Sequence, residues 1–166
     1  MQTNHAPIVD LGTAGRLADE ARGRGEKIIL ANGCFDLLHA GHVRYLAGAK
    51  ELGGFLIVGI NSDRQVCDLK GKGRPFVPQD ERAEIVASFR LVDAVTIFDD
   101  PTVERLIDTI KPDFHTKGTD YTADTVPERE IVRRHGGKVV IVGDPKNHSS
   151  TQMINRIGRL TESITG

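Results

Sequence analysis

The feature that most constrains the fold is an alternation of short apolar runs with amphipathic segments along the chain. Each apolar run is continuous, which is typical of strands that are buried on both faces of a parallel sheet. The five predicted strands are Lys27–Ala31, Phe55–Ile60, Ala94–Phe98, Asp113–Thr116 and Lys138–Val142. Because predicted helices separate them, the pattern indicates an α/β fold with a Rossmann-like, doubly wound, five-stranded parallel sheet.

Glycine, proline and N-capping residues punctuate the segments between these strands. The predicted helices are Asp10–Arg24, Ala40–Leu52, Asp80–Arg90, Pro101–Ile110, Pro127–His135 and Ser149–Leu160. We expect residues 1–9 to be disordered and residues 61–79 to form a long connection. At 166 residues, the chain is expected to be a single domain spanning 1–166.

Composition argues against several classes of partner. The net charge is −1, so there is no bulk attraction to nucleic acid. No run of about 18 apolar residues is present, and we therefore expect no membrane partner. The start of the chain lacks a signal-peptide pattern. Two widely separated cysteines predict neither a disulfide framework nor a metal site and are typical of a reducing compartment. We therefore expect a cytoplasmic protein.

The most informative polar residues lie in Gly33–His42, which connects the first predicted strand to the helix that follows it. Backbone N–H groups and the positive end of a helix dipole meet at such a junction, which suits a phosphate group. His39 and His42 are three residues apart and can share one face of the helix. Gly41, between them, has no side chain that would block a phosphate approaching the backbone.

Other interpretations of this junction are weaker. The histidines could simply cap the helix, and as a metal pair they would need a third ligand nearby. Cys34 could be a nucleophile beside a histidine, but a small residue filling a turn is the interpretation that we favour.

The segment Gly33–His42 resembles the HxGH nucleotidylyltransferases, the cytidylyltransferase-like family, and the resemblance covers roughly residues 27–157. In that family the histidine pair binds the nucleoside triphosphate and stabilises the transition state. The branch that the sequence resembles most is D-glycero-β-D-manno-heptose 1-phosphate adenylyltransferase, next to glycerol-3-phosphate cytidylyltransferase. The resemblance implies the strand order 3-2-1-4-5.

A basic segment, Lys70–Pro75, lies within the long predicted connection, and we expect residues 68–78 to be mobile without ligand. It could be a solvated charge run, yet loops this long in compact domains are usually functional. Its three cations could neutralise the charge that builds on a leaving group. The resemblance to the family's mobile basic loop makes Lys72 the preferred catalytic residue and Lys70 the second choice.

The resemblance implies a wider set of site residues, although turns and helix caps would explain several of them as well. His39, His42 and Lys72 are the predicted catalytic residues. The predicted nucleotide-binding residues are Gly33, Cys34, Phe35, Gly41, Asn61, Asp63, Lys117, Gly118, Ser149, Ser150 and Thr151. The predicted substrate-binding residues are Asp36, Lys70, Arg82 and Asp120. No direct protein ligand to a metal is predicted, since Mg²⁺ would be held mainly by phosphates.

Two features depart from the family pattern. The stretch before the last predicted helix is Pro145–His148, where family members have a Gly-Tyr pair or an arginine, and His115 is unusual within its strand. These departures leave the identity of the acceptor open.

The resemblance implies an enzyme that joins the adenylyl group of ATP to a sugar phosphate. With heptose 1-phosphate the products would be ADP-heptose and pyrophosphate, as in lipopolysaccharide or surface polysaccharide biosynthesis, with Mg²⁺ accompanying ATP. A homodimer is expected, and a separate sugar kinase would supply the substrate. The alternatives are a glycerol-3-phosphate cytidylyltransferase that uses CTP and a nucleotide-binding module without turnover.

Overall fold

In the computed structural model, the described residues are 5–144 and 150–165, with side chains described to residue 160. They form six strands and seven helices. The strands are β1 (Ile8–Val9), β2 (Lys27–Gly33), β3 (Gly54–Asn61), β4 (Ala94–Phe98), β5 (Phe114–Lys117) and β6 (Lys138–Ile141). The helices are α1 (Leu11–Gly23), α2 (Ala40–Lys50), α3 (Asp63–Lys70), α4 (Gln79–Ala87), α5 (Glu104–Ile110), α6 (Arg129–Arg134) and α7 (Ser150–Thr165).

The strands form one parallel sheet with the order β1-β4-β3-β2-β5-β6. The predicted five-stranded sheet with the order 3-2-1-4-5 is therefore wrong, because β1 adds a strand beyond β4. Without β1 the neighbours run β4-β3-β2-β5-β6. Disorder is likewise the wrong expectation for residues 8 and 9, since they pair in register with Val95 and Thr96. A two-residue strand is too short to leave a periodic pattern in the sequence.

Helices cover both faces of the sheet, which confirms the doubly wound parallel arrangement. On one face, α1, α5 and α6 bury apolar side chains against Ile28 and Leu30 of β2. On the other face, α2 and α4 pack over Ile29 and Ala31 of the same strand. Successive residues of β2 thus lie in two different cores, because side chains alternate across a strand. This explains why the strand reads as a continuous apolar run.

The predicted connection between the second and third strands contains a helix that sequence analysis missed. Helix α3 begins after Ser62, whose hydroxyl accepts a hydrogen bond from the Gln65 N–H at 3.2 Å. Five of its eight residues are polar, and the segment was therefore predicted as part of a long connection. A second difference lies at Pro101, which precedes α5 rather than forming its first turn.

Two glycines let α2 approach the segment that follows β6. A Cβ atom built at Gly48 would lie 3.1 Å from the Gly143 backbone nitrogen, and Gly143 has a φ of 94°. Arg44 of α2 forms an ion pair with Asp144 at the same place. These contacts place residues 142–144 beside residues 44–48 of α2, where they border a cavity.

Candidate active site

A cavity of about 490 Å³ opens at the carboxyl ends of β2, β3 and β5, the edge where ligands bind in open parallel sheets. One side, here called the histidine wall, is residues 33–42. The opposite side, here called the lysine wall, is residues 117–121 with residues 142–144. Other residues that line the cavity are Asn32, Tyr45, Asn61, Leu69, Lys70, Arg74, Ser150 and Thr151.

His39 and His42 lie together at the start of α2. Their ring centroids are 4.0 Å apart, and the His39 backbone N–H donates a hydrogen bond to His42 Nδ1 at 3.3 Å. Because Nδ1 accepts, the proton of a neutral His42 ring is on Nε2, which is then a donor. Burial and the neighbouring His39 lower the pKa of His42 to about 4. The ring is therefore neutral at physiological pH.

Phe35 fixes the shape of the histidine wall. It is almost fully buried, and its ring centroid lies 5.3 Å from that of His42. Its φ is 49°, in the left-handed region that side chains larger than glycine rarely adopt. The ring also packs on Gly33, where an added Cβ atom would lie 3.2 Å from a Phe35 ring carbon. Gly33 is thus needed for the close approach of this ring.

Cys34 lines the cavity, but its environment does not favour nucleophilic chemistry. Burial raises the pKa of its thiol. The sulfur lies 3.9 Å from Asn61 Oδ1. A protonated thiol is a poor nucleophile, so the preference for a space-filling role over a catalytic one is supported.

Asp36 is largely committed to protein contacts. Its carboxylate accepts hydrogen bonds from Arg74 Nε at 2.6 Å and from the backbone N–H groups of Phe76 and Val77 at 2.8 and 3.0 Å. The Asp36 side chain is only 2% exposed. We therefore revise the predicted substrate-binding role: Asp36 ties the end of the basic segment to the histidine wall. This tether also limits the expected mobility to the part of the segment before Arg74.

The three cations of the basic segment differ in whether they line the cavity. Lys70, at the end of α3, and Arg74 line the cavity, whereas Lys72 is exposed and does not. Arg74 is a cavity residue that sequence reasoning missed as a site residue.

Arg82 lies outside the cavity and does not support its predicted role as a substrate ligand. The side chain is fully buried in α4. Its guanidinium donates to the carbonyls of Cys34, Asn61 and Val77 and to the Asp63 carboxylate. Asp63, a predicted nucleotide ligand, forms an ion pair with Arg82 and does not line the cavity. Arg82 thus holds together the chain segments that follow β2 and β3.

Lys117 ends β5 and forms the base of the lysine wall. Its side chain is only 11% exposed, and Nζ lies 3.1 Å from Asn32 Oδ1 and 3.4 Å from Glu128 Oε1. The Tyr121 ring centroid is 5.7 Å from the same nitrogen. These contacts fix an ammonium group at the cavity edge.

Two side-chain hydroxyls brace the lysine wall. Tyr45 of α2 donates a hydrogen bond to the Thr116 carbonyl at 2.8 Å, and burial raises the pKa of its phenol to about 12. Thr119 donates to the Asp144 carbonyl at 2.8 Å. Both contacts tie the end of β5 to neighbouring segments, so the wall is supported on two sides.

The N-terminus of α7 faces the histidine wall. The Ser150 hydroxyl donates to the Leu37 carbonyl at 2.9 Å, and Thr151 lines the cavity beside it. Ser149, also predicted to bind nucleotide, lies outside the described residues. Two helix N-termini, those of α2 and α7, therefore border the same cavity.

Most of the predicted site residues come together in this cavity. Those that line it are Gly33, Cys34, Phe35, Asp36, His39, Gly41, His42, Asn61, Lys70, Lys117, Gly118, Asp120, Ser150 and Thr151. Lys72, Asp63 and Arg82 do not. Sequence reasoning missed Asn32, Tyr45, Arg74 and Tyr121, which also line it. Proximity to the histidine motif, the basic segment and the Lys117–Asp120 turn was the available signal for them.

Within residues 5–144 and 150–165, no three His, Cys, Asp or Glu side chains are grouped so that they could hold a metal ion. None of the helices in this part of the chain is long and apolar enough to cross a membrane.

Comparison with known proteins gives concordant matches. A family model described as cytidylyltransferase-like matches residues 30–157. The bifunctional protein HldE of Geobacter metallireducens is 44% identical over 154 residues, covering 93% of this chain and 31% of that protein. The bifunctional protein HldE of Syntrophotalea carbinolica is 45% identical over 136 residues, covering 82% of this chain and 28% of that protein. The chain thus spans less than a third of the length of these curated relatives.

A solved structure extends the comparison to three dimensions. The lipopolysaccharide core biosynthesis protein from Thermoplasma volcanium superposes with a TM-score of 0.65 and 25% sequence identity. The superposition covers 74% of this chain and all of that one.

Proposed function

The chain belongs to the cytidylyltransferase-like family, and on that premise we propose that it is a nucleotidylyltransferase that acts on a sugar phosphate. An oxygen of the acceptor's phosphate attacks the α-phosphorus of a nucleoside triphosphate. The bond from that phosphorus to the oxygen bridging the β-phosphate breaks, and pyrophosphate leaves. The observation that supports this reaction best is the His39–His42 pair, with His42 neutral, at the N-terminus of α2, facing the N-terminus of α7.

The histidine pair would act on the phosphate whose charge changes during the reaction. With Nδ1 of His42 accepting from the backbone, Nε2–H is left to donate to a phosphate oxygen. A neutral donor that is already oriented stabilises developing charge without reorganisation. The reaction needs no covalent enzyme intermediate, consistent with the raised pKa of the Cys34 thiol.

Cations on both sides would hold the rest of the triphosphate. Lys70 and Arg74 lie on the side of the basic segment, and Lys117 lies on the lysine wall. Ser150 and Thr151 place a second helix N-terminus at the cavity, where its positive dipole end attracts phosphate. Mg²⁺ is proposed as part of the substrate, entering with the triphosphate and bridging its oxygens.

The finer proposal is that the nucleotide is ATP and the acceptor a heptose 1-phosphate, giving ADP-heptose. Its support is the similarity to the HldE proteins, together with the neighbour named for lipopolysaccharide core biosynthesis. A homodimer stays a prediction.

The direct test is pyrophosphate release across ATP, CTP, GTP and UTP, each with heptose 1-phosphate, glycerol 3-phosphate and a hexose 1-phosphate. We expect release only with ATP and the heptose phosphate, abolished by chelator and restored by Mg²⁺. A higher kcat/KM for CTP with glycerol 3-phosphate would instead favour a cytidylyltransferase. Nucleotide binding without release under any pairing would contradict enzymatic transfer and favour a binding module.

A further inference from the structure

Glu128 is a partly buried carboxylate that neither the sequence motifs nor the cavity lining includes. It precedes α6, and its Oε1 lies 3.4 Å from Lys117 Nζ. The side chain is 15% exposed, so the charge pair that it makes with Lys117 is largely removed from water. Glu128 does not line the cavity, and its hydrogen bond to Lys117 connects it to a residue that does.

Among the described residues, two side-chain oxygens accept hydrogen bonds from the Lys117 ammonium. An ammonium group has three N–H donors. Asn32 Oδ1 and Glu128 Oε1 can accept two of them, at 3.1 and 3.4 Å. The third N–H is then available to an oxygen in the cavity that Lys117 borders. The pair of acceptors therefore sets the direction in which Lys117 can donate.

The second oxygen of Glu128 argues against a purely stabilising ion pair. Among the described residues, Oε2 is buried and has no hydrogen-bond partner. An unsatisfied buried acceptor opposes folding. A carboxylate placed only for stability would be expected to satisfy both oxygens, and this one instead contacts the ammonium with one oxygen.

We propose that Glu128 is a positioning residue that, with Asn32, holds the Lys117 ammonium so that one N–H is directed at a phosphate oxygen in the cavity. The inference rests on the proposed function, since it assumes that Lys117 contacts the phosphates of the nucleotide or the acceptor. It adds to that function a residue from a different helix that acts without touching either ligand.

The test combines Glu128→Gln with Lys117→Met and the double variant in the full chain. If Glu128 acts through Lys117, we expect Glu128→Gln to lower kcat on the order of tenfold while the nucleotide KM changes less than about threefold. In the Lys117→Met background the same change should alter kcat less than about twofold. Glu130→Gln, an exposed substitution in the same helix, is the matched control and should leave kcat unchanged. An unchanged kcat in Glu128→Gln, or an equal loss in both backgrounds, would overturn the proposal.

A second measurement separates this inference from the proposed function. Lys117 acetylation by acetic anhydride, followed by mass spectrometry, reports whether the ammonium is held and needs no turnover. We expect labelling to be at least about threefold faster in Glu128→Gln and unchanged in Glu130→Gln. If labelling of Lys117 is faster in Glu128→Gln than in the wild type, but the wild type turns over no nucleotide, the proposed function fails while the placement of Lys117 stands. Equal labelling of wild type and Glu128→Gln would refute that placement.

Glu128→Asp covers the case in which Glu128→Gln does not fold. It keeps the negative charge but withdraws the carboxylate by one methylene from a contact that is already 3.4 Å long. We expect the same loss of kcat as in Glu128→Gln. Wild-type kcat in Glu128→Asp would show that the contact is not needed and would overturn the proposal.

Discussion

The histidine wall and the lysine wall border one cavity but are built from contacts of different range along the chain. His39 contacts His42 three residues away, and Phe35 packs on the same ring from seven residues away. On the lysine wall, Lys117 bonds to Asn32 across 85 positions, and Tyr45 bonds to the Thr116 carbonyl across 71. Residues of both walls were predicted from the sequence, but the distant partner Asn32, which holds Lys117 in place, was not.

The largest expected effect tests the local side of this comparison. His42→Ala removes an oriented donor, and we expect kcat to fall by about 10²–10³-fold while the fold is retained. His135→Ala, which removes a histidine that does not line the cavity, is the control and should keep wild-type kcat. The measurement is pyrophosphate release alongside thermal unfolding. Near-normal kcat in His42→Ala would break the assignment of the chemistry to the histidine wall.

The next effect tests whether the histidine wall also needs a distant partner. Asp36→Asn breaks a buried ion pair with Arg74, and we expect the free energy of unfolding to drop by about 3 kcal/mol. Asp99→Asn breaks an exposed pair with Arg64 and should change stability no more than the measurement error. Urea unfolding of both variants gives the comparison. Equal stability losses would mean that burial of the Asp36 pair has no special weight.

The basic segment allows a comparison of two lysines, one that lines the cavity and one that does not. Lys70 lines the cavity and Lys72 does not, so we expect Lys70→Ala to lower kcat on the order of tenfold and Lys72→Ala to change it less than about twofold. The measurement is kcat together with nucleotide Kd for both variants. A larger effect of Lys72→Ala would restore the prediction made from the sequence and would require the segment to move when the triphosphate binds.

A pH-dependent effect concerns His115, which is fully buried two residues before Lys117. Burial and the Lys117 charge lower the pKa of His115 to about 3, against an ordinary value of 6.5. In the unfolded chain the ring takes up a proton near pH 6.5, whereas in the folded chain it stays neutral. The free energy of unfolding is therefore unaffected by this residue above pH 6.5, and it decreases as the pH falls from 6.5 toward 3 because only the unfolded chain takes up the proton.

His115→Leu removes this proton uptake. Between pH 6 and pH 4 we expect the stability of wild type to decline more steeply than that of the variant, by about 1.4 kcal/mol per pH unit. Both ring nitrogens lack a hydrogen-bond partner among the described residues, so at pH 7 the variant should be at least as stable. Urea unfolding at pH 7, 6, 5 and 4 measures the difference, and parallel pH profiles would contradict it.

Local patterns were sufficient for the parallel α/β architecture, for the strands β2 to β6 and for the histidine pair. Continuous apolar runs indicate burial on both faces, and glycine and histidine at fixed spacing predict a helix start suited to phosphate. These patterns depend on neighbours in the chain, so they are visible in one sequence. The strand β1 was missed because two residues are too few to show a period, and the helix α3 was missed because its mostly polar residues were predicted to form a connection.

The contacts of the charged residues, by contrast, are known only from the tertiary structure, because their partners lie far away in the chain. Arg82 and Asp36 are residue types that often bind phosphates or substrates. In the folded protein, however, the side chain of each forms hydrogen bonds to protein groups that are distant in the sequence. Glu128 looks like a surface residue at a helix start, yet it lies against Lys117. The energy of a charge depends on its burial and on the groups beside it, and both are properties of the packed molecule.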